Sequence, residues 1–96
     1  MPTYAVTARF RRDLAGLTPG QRAAFRSAIE GFVHDLGEGR FRSGLRVKGV
    51  KGAAGVFEMT WAPDGRATFQ YGDPIERGEP HVIWRRIGTR DVFRAP

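Results

Sequence analysis

Two stretches in which apolar and polar residues alternate lie on either side of Pro63-Asp64-Gly65. Proline presets φ, aspartate hydrogen-bonds to its own backbone and glycine adopts positive φ, so these three residues predict the loop of a β-hairpin. With that loop, Ala62 faces Arg66 and Glu58 faces Gln70. Side chains alternate along a strand, so one face is apolar and the other polar. The apolar face holds Phe57, Met59, Trp61, Ala67, Phe69 and Tyr71, and the polar face holds Glu58, Thr60, Arg66, Thr68 and Gln70.

Two helices are predicted before the hairpin. Apolar residues at helical spacing within residues 10–17 predict a short helix. Thr18-Pro19-Gly20-Gln21 has the pattern of a capping box with proline at the first helical position, and it predicts the start of a second helix. Apolar residues then recur every three or four positions until Gly37 and Gly39, which we expect to end this helix.

Strands complete the prediction. Residues 4–8 alternate weakly and predict a first strand, and His81–Ile87 predicts a third strand of the meander. The sequence therefore predicts an α+β fold: a small antiparallel β-meander plus an N-terminal strand, packed against two N-terminal helices. At 96 residues, the whole chain 1–96 is expected to form one domain.

Composition narrows the chemistry. The chain has no cysteine, so disulfides, thiolate metal sites and cysteine nucleophiles are excluded. Its two histidines are predicted on a helix surface and at a strand start, and we expect neither a metal nor a cofactor. No apolar run is long enough to span a membrane and no signal-peptide pattern opens the sequence, so a cytoplasmic protein without membrane association is expected.

Positive charge is concentrated in one segment. The net charge is +6, and residues 40–51 carry five basic residues and no acidic one. A basic surface suits a polyanion or an acidic protein, because guanidinium groups form bidentate hydrogen bonds with phosphate and carboxylate. Codon usage in a GC-rich genome would explain the preference for arginine over lysine, but not the absence of acids in this segment. The polar face of the hairpin could equally be the solvated side of a sheet.

No motif for phosphate-loop, nucleophile-elbow or zinc-protease chemistry is present, and Ser43 has no base beside it in the sequence. A carboxylate, several guanidinium groups and two ammonium groups around a sheet face remain. That set suits RNA cleavage without a metal, because the 2′-hydroxyl supplies the nucleophile and the protein needs only a base, cations and a proton donor.

The chain resembles the RelE/ParE superfamily of bacterial type II toxin–antitoxin systems. The resemblance covers nearly the whole chain and rests on a Gly-rich basic stretch followed in order by GVFEMTW, GRATFQYG and HVIWRRIGTRDVF. The RelE-like branch cleaves messenger RNA, commonly on the translating ribosome, whereas the ParE-like branch inhibits DNA gyrase. Membership in either branch implies a cognate antitoxin as partner.

The resemblance also implies roles for individual residues. Arg66 matches the phosphate-binding arginine, Glu58 is the candidate base, and Arg90 with Arg85 or Arg86 would stabilise phosphate charge. The residues implied in RNA binding are Arg40, Arg42, Arg46, Lys48, Lys51 and Phe93. No general acid is assigned, because Phe93 stands where active relatives often have a histidine or tyrosine. We expect Arg66 to be a surface residue whose replacement by alanine leaves folding nearly unchanged.

Three functions remain open from the sequence. The first is a toxin and metal-independent endoribonuclease (mRNA interferase) of the RelE-like kind that inhibits translation. The second is a ParE-like gyrase inhibitor without enzymatic activity, and the third is a catalytically attenuated antitoxin-binding domain.

Overall fold

The computed structural model describes residues 1–96 as one five-stranded sheet with two α-helices and two short 3₁₀-helices. The elements are β1 (Thr3–Val6), α1 (Ala8–Ala15), α2 (Pro19–Glu38), η1 (Ser43–Leu45), β2 (Lys48–Gly49), β3 (Phe57–Ala62), β4 (Gly65–Gly72), β5 (His81–Gly88) and η2 (Arg90–Arg94). The strand order is β1-β5-β4-β3-β2; β1 runs parallel to β5 and the other neighbours are antiparallel. The predicted α+β class is confirmed. Neither helix has the length and apolarity needed to cross a membrane.

The start of α2 has the predicted capping box. The Thr18 hydroxyl accepts a hydrogen bond from the Gln21 amide at 3.1 Å, and the Thr18 amide donates to the Gln21 side chain at 2.8 Å. These two bonds satisfy backbone donors that an uncapped helix would leave free. The helix continues through Gly37 and ends where Gly39 adopts a left-handed φ of 76°, so of the two predicted stop signals only Gly39 ends it.

The core lies between α2 and the apolar face of the sheet. Phe32 of α2 is 1% exposed, and its ring centroid lies 5.1 Å from that of Phe69 and 5.0 Å from that of Trp84. Met59 is fully buried in the same cluster. Tyr71, which the alternation placed on this face, is 47% exposed because it lies next to the last residue of β4, beside an exposed loop.

The hairpin has the predicted faces in a different register. Its turn contains only Pro63 and Asp64, and Gly65 already belongs to β4. Glu58 therefore pairs with Thr68 rather than Gln70, with an irregularity between Thr60 and Ala62. The predicted register was wrong by two residues, and a slip of two leaves every side chain on its original face.

Candidate functional site

A polar cavity of about 240 Å³ opens on the sheet face that carries the hairpin's polar side chains. Its lining residues come from β2, β3, β4, η2 and the segment after η1: Arg46, Lys48, Glu58, Thr60, Arg66, Arg90 and Phe93. Six of these seven were candidate site residues from the sequence. Thr60 was not, although its alternation with Glu58 along β3 already placed it on the same face.

Strand pairing brings the cavity residues together. Lys48 of the two-residue strand β2 pairs with Glu58 of β3, and Thr60 pairs with Arg66 of β4. Directly opposed residues have Cβ atoms about 4.5 to 5.5 Å apart, so these side chains share a small area of the sheet. The register thus places Lys48 opposite Glu58, and Thr60 opposite Arg66.

Arg66 is a buried residue of the hairpin rather than a surface one. It is 9% exposed, and its Nη1 donates to the carbonyls of Ala62, Pro63 and Gly65 at 3.3, 3.2 and 2.9 Å. One guanidinium nitrogen is therefore used to hold the turn. Nε and Nη2 donate to no protein group, so the cation can hold the turn and still present N–H groups to an anion. The expectation that Arg66 is a surface residue was wrong.

The other charged groups of the cavity have no ion-pair partner. No acidic oxygen lies within 4.0 Å of the charged nitrogens of Arg46, Lys48 or Arg90, and Glu58 likewise has no cationic nitrogen at that distance. Four cations therefore surround one carboxylate, with an uncompensated excess of positive charge. Such an excess of positive charge attracts a polyanion. The attraction is strongest where the charges converge on a concave surface.

Arg46 occupies this site with a strained backbone. It is the one non-glycine residue with positive φ, at 49°, and it follows the last residue of η1. The left-handed conformation costs an L-residue about 1 to 2 kcal/mol. Unfavourable backbone conformations often accompany binding sites, and this one directs the chain from η1 into β2.

Arg85 and Arg86 lie outside the cavity. A bulge shifts the β4–β5 register so that Thr68 pairs with Arg86 and Phe69 pairs with Trp84, which leaves Arg85 unpaired. Arg86 forms an ion pair with Asp13 of α1 at 2.6 Å, and Arg85 donates to Gln70. Neither arginine lines the pocket of Arg66, although the resemblance implied that one of them would stabilise phosphate charge there.

Three residues implied in RNA binding also lie elsewhere. Arg40 and Lys51 are exposed outside the cavity. Arg42 is bound to Asp35. The amide, Nε and Nη2 of Arg42 donate to the Asp35 carboxylate at 2.8, 2.7 and 3.0 Å. These hydrogen bonds hold the pKa of the Asp35 carboxyl well below its usual range. The guanidinium also lies over Gly31, where a Cβ would be 2.8 Å from Nη1, so Arg42 fastens the chain after α2 onto that helix.

A larger cavity has a different character. It is an open apolar groove of about 740 Å³ between α1, α2 and β1, with residues such as Phe25, Ile29 and Val33 along its wall. Its polar components include Arg11, Arg22 and Arg26, and no acidic residue lines it. Its other polar lining residues are Thr3 and Tyr4.

Comparisons with known proteins identify solved structures that share this fold. No family model and no curated protein matches the sequence. Among solved structures, YafQ of Escherichia coli BL21(DE3) superposes with a TM-score of 0.71 at 9% identity, covering 96% of this chain and 97% of that chain. A chain of the RelBE2 toxin–antitoxin complex of Mycobacterium tuberculosis matches with a TM-score of 0.61 at 26% identity, covering 94% and 100%. The chain has the fold of the RelE superfamily.

The RelE-type fold extends across distant organisms. The RelB–RelE antitoxin–toxin complex of Methanococcus jannaschii contains a chain that matches with a TM-score of 0.63 at 16% identity, covering 94% of both chains. At such identities the conserved property is the arrangement of helices and strands. The chemistry of this chain therefore depends on the residues of its own cavity.

Proposed function

We propose that this protein is the toxin of a type II toxin–antitoxin system and acts as a metal-independent endoribonuclease on messenger RNA. One observation carries the proposal: Arg46, Lys48, Arg66 and Arg90 converge on a single cavity with no ion-pair partner. Elsewhere in the chain, Asp13 and Asp35 pair with arginines at 2.6 and 2.7 Å. The unpaired cations suit the phosphates of a nucleic acid.

The cavity contains the groups that RNA cleavage requires. In the proposed reaction the Glu58 carboxylate takes the proton of a 2′-hydroxyl, and the 2′-oxygen bonds to the adjacent phosphorus. The bond from phosphorus to the 5′-oxygen breaks, giving a 2′,3′-cyclic phosphate and a 5′-hydroxyl. Arg66 and Arg90 stabilise the negative charge that accumulates on the phosphoryl oxygens.

The leaving 5′-oxygen needs a proton donor. A guanidinium stays charged and donates hydrogen bonds without giving up a proton, whereas an ammonium can lose one. Lys48 is the lining residue of the second kind and lies opposite Glu58 in the strand register. We assign it the role of general acid, which sequence reasoning had left open. Phe93 offers an aromatic surface on which a neighbouring base can stack.

The ribosome is the proposed setting, since RelE-like toxins commonly cleave messenger RNA during translation. The solved neighbours reported above are YafQ and RelE-type chains, which favours the RelE-like branch over a ParE-like gyrase inhibitor. With four cations and a free carboxylate in the cavity, an attenuated domain is also the weaker interpretation.

The proposed partner is a cognate antitoxin. The neighbours include the DinJ–YafQ toxin–antitoxin complex, in addition to the RelBE2 and RelB–RelE complexes. The excess positive charge of this chain suits an acidic or amphipathic antitoxin segment. Co-expression with the product of the neighbouring reading frame should relieve toxicity and yield a complex that co-purifies.

The decisive experiment is inducible expression followed by mapping of transcript ends and measurement of DNA supercoiling. We expect translation to stop with cuts in messenger RNA that leave 5′-hydroxyl ends, and Glu58→Gln to abolish the cuts. The matched control is Arg94→Gln, which alters a side chain that is 87% exposed and lies outside the cavity. Intact transcripts with altered supercoiling would instead establish a gyrase inhibitor, and absence of both effects an attenuated domain.

A further inference from the structure

Arg85 and Arg86 both reach the chain that follows η2. Arg85 Nε donates to the Pro96 carbonyl at 2.9 Å, and Arg86 Nη1 donates to the Ala95 carbonyl at 3.0 Å. The Thr68 hydroxyl donates to the same Pro96 oxygen at 3.2 Å. The bulge that leaves Arg85 unpaired in the β4–β5 ladder allows both arginines to serve this one segment. Strands β4 and β5 therefore hold the residues after η2.

Arg86 is itself held in place by α1. Its Nε and Nη2 donate to the two carboxylate oxygens of Asp13 at 2.6 and 3.3 Å, and the Ile87 amide donates to Asp13 Oδ2 at 3.2 Å. The side chains of Asp13 and Arg86 are 16% and 15% exposed. All three guanidinium nitrogens of Arg86 are engaged, two with Asp13 and one with Ala95, and Arg86 does not line the cavity.

The segment between these anchors delivers two side chains to the cavity. At its start, the Thr89 hydroxyl accepts from the Asp91 amide at 3.4 Å, and Val92 is 2% exposed against Gly88. At its end, the arginines of β5 hold the backbone. Arg90 and Phe93, which line the cavity, lie between the two anchors. A five-residue 3₁₀-helix has poor hydrogen-bond geometry of its own and depends on such external contacts.

We propose that Asp13 and Arg86 are positioning residues that hold Arg90 and Phe93 at the cavity by fixing the chain after η2. What this positioning achieves chemically rests on the proposed ribonuclease function. The positioning itself rests on the continuous set of hydrogen bonds from α1 through β5 to Ala95. Arg86 acts on the reaction through η2 and not by touching the phosphate.

The functional test compares Asp13→Asn, Arg86→Gln and the double variant in cleavage of ribosome-bound messenger RNA. Each single change should lower kcat by about 100-fold, the loss that a misplaced catalytic group causes. The kcat of the double variant should lie within about twofold of the kcat of the less active single variant, because both changes interrupt one set of contacts. Arg94→Gln, a matched charge loss on η2 itself, should retain wild-type activity.

A direct catalytic role for Arg86 gives a different result. Asp13→Asn would then free the guanidinium and preserve or raise activity, while Arg86→Gln alone would lose it. That pattern would overturn the proposal. An equal loss in Arg94→Gln would also overturn it, because the effect would then follow from charge alone.

Amide hydrogen exchange tests the positioning without any RNA. In Asp13→Asn and Arg86→Gln, the amides of Val92 and Ala95 should exchange at least about tenfold faster, while the Phe69 amide in β4 stays protected. Unchanged exchange in η2 would overturn the proposal whatever the cleavage assay shows. If amide exchange is faster in the variants but the wild-type protein cuts no RNA, the positioning is supported and the ribonuclease function is rejected.

A milder variant covers the case in which neither of these proteins folds. Thr68→Val is nearly isosteric at a fully buried position and removes only the hydroxyl bond to Pro96. It should accelerate exchange of the Ala95 amide by a smaller factor in the same direction. A rate equal to that of the wild type would show that the hydrogen bond from β4 does not hold this segment.

Discussion

Replacement of Arg66 by alanine should destabilise the protein as well as remove a cation from the cavity. Arg66 is 9% exposed, and its Nη1 donates to three carbonyls of the hairpin turn at 2.9 to 3.3 Å. In Arg66→Ala these carbonyls lose their charged donor, and the hydrophobic stem of the side chain leaves a gap beside the turn.

The size of the effect follows from how the three bonds are shared. A hydrogen bond to a charged group contributes about 1.5 to 3 kcal/mol. One nitrogen serves all three carbonyls here, and the adjoining turn residues Pro63 and Asp64 are exposed, so water can replace part of what is lost. We therefore expect a cost of about 2 kcal/mol in the free energy of unfolding, the contribution of one such bond. For a chain of this size that lowers Tm by roughly 8 to 16 °C.

Thermal unfolding followed by circular dichroism measures this directly, with Arg94→Ala as the control. The Arg94 side chain is 87% exposed, and its removal should change the free energy of unfolding by less than about 0.5 kcal/mol. RNA cleavage should be compared at a temperature at which Arg66→Ala is still folded, where we expect activity to be lost. If the Tm of Arg66→Ala lies within about 2 °C of the wild type, the turn does not depend on this guanidinium.

Three further outcomes are expected. Because the folded-state pKa of Asp35 lies below its usual value, its stabilising contribution is complete above about pH 4 and is lost as the pH falls further; Tm should therefore drop less on acidification in Asp35→Asn than in the wild type. Lys48→Gln should reduce the dependence of RNA affinity on salt by about 0.7 in the log–log slope, whereas Arg77→Gln, on an exposed loop outside the cavity, should leave it unchanged. Gly65→Ala should lower Tm by more than an average substitution, because the added Cβ would lie 2.5 Å from the Trp61 ring; a wild-type Tm would show that the ring moves aside at no cost.

Much of the site could be predicted because it depends on the alternation of side chains. The faces of β3 and β4 follow from polar and apolar residues at every second position, and they placed Glu58, Thr60 and Arg66 together correctly. The register did not follow, because the turn contains two residues and not three, and the irregularity between Thr60 and Ala62 shifts the pairing by one residue more. Gly65 signalled a turn in the sequence, but its role is to leave room for the ring of Trp61.

The placement of Arg85 and Arg86 could not be predicted, because a bulge has no alternating pattern. The extra residue in β5 breaks the rule that neighbours face opposite sides, and both arginines then hold the chain after η2. Burial of Arg66 and capture of Arg42 by Asp35 also depend on contacts that composition does not reveal. Of the five basic residues in segment 40–51, only Arg46 and Lys48 line the cavity, and only the three-dimensional partners separate a free cation from a structural one.

The position of β5 has a consequence for how the protein matures during synthesis. This strand lies between β1 and β4, yet it is among the last elements to be translated, and its pairing with β1 joins Thr3 to His81. Strand β1 therefore cannot pair until nearly the entire polypeptide has been synthesised. Such long-range pairing slows folding. A nascent chain that stops before β5 has neither the complete five-stranded sheet nor Arg90 and Phe93, so the cavity is completed only when translation of these elements has ended. Because of this strand order, the site can assemble only after most of the chain has been synthesised.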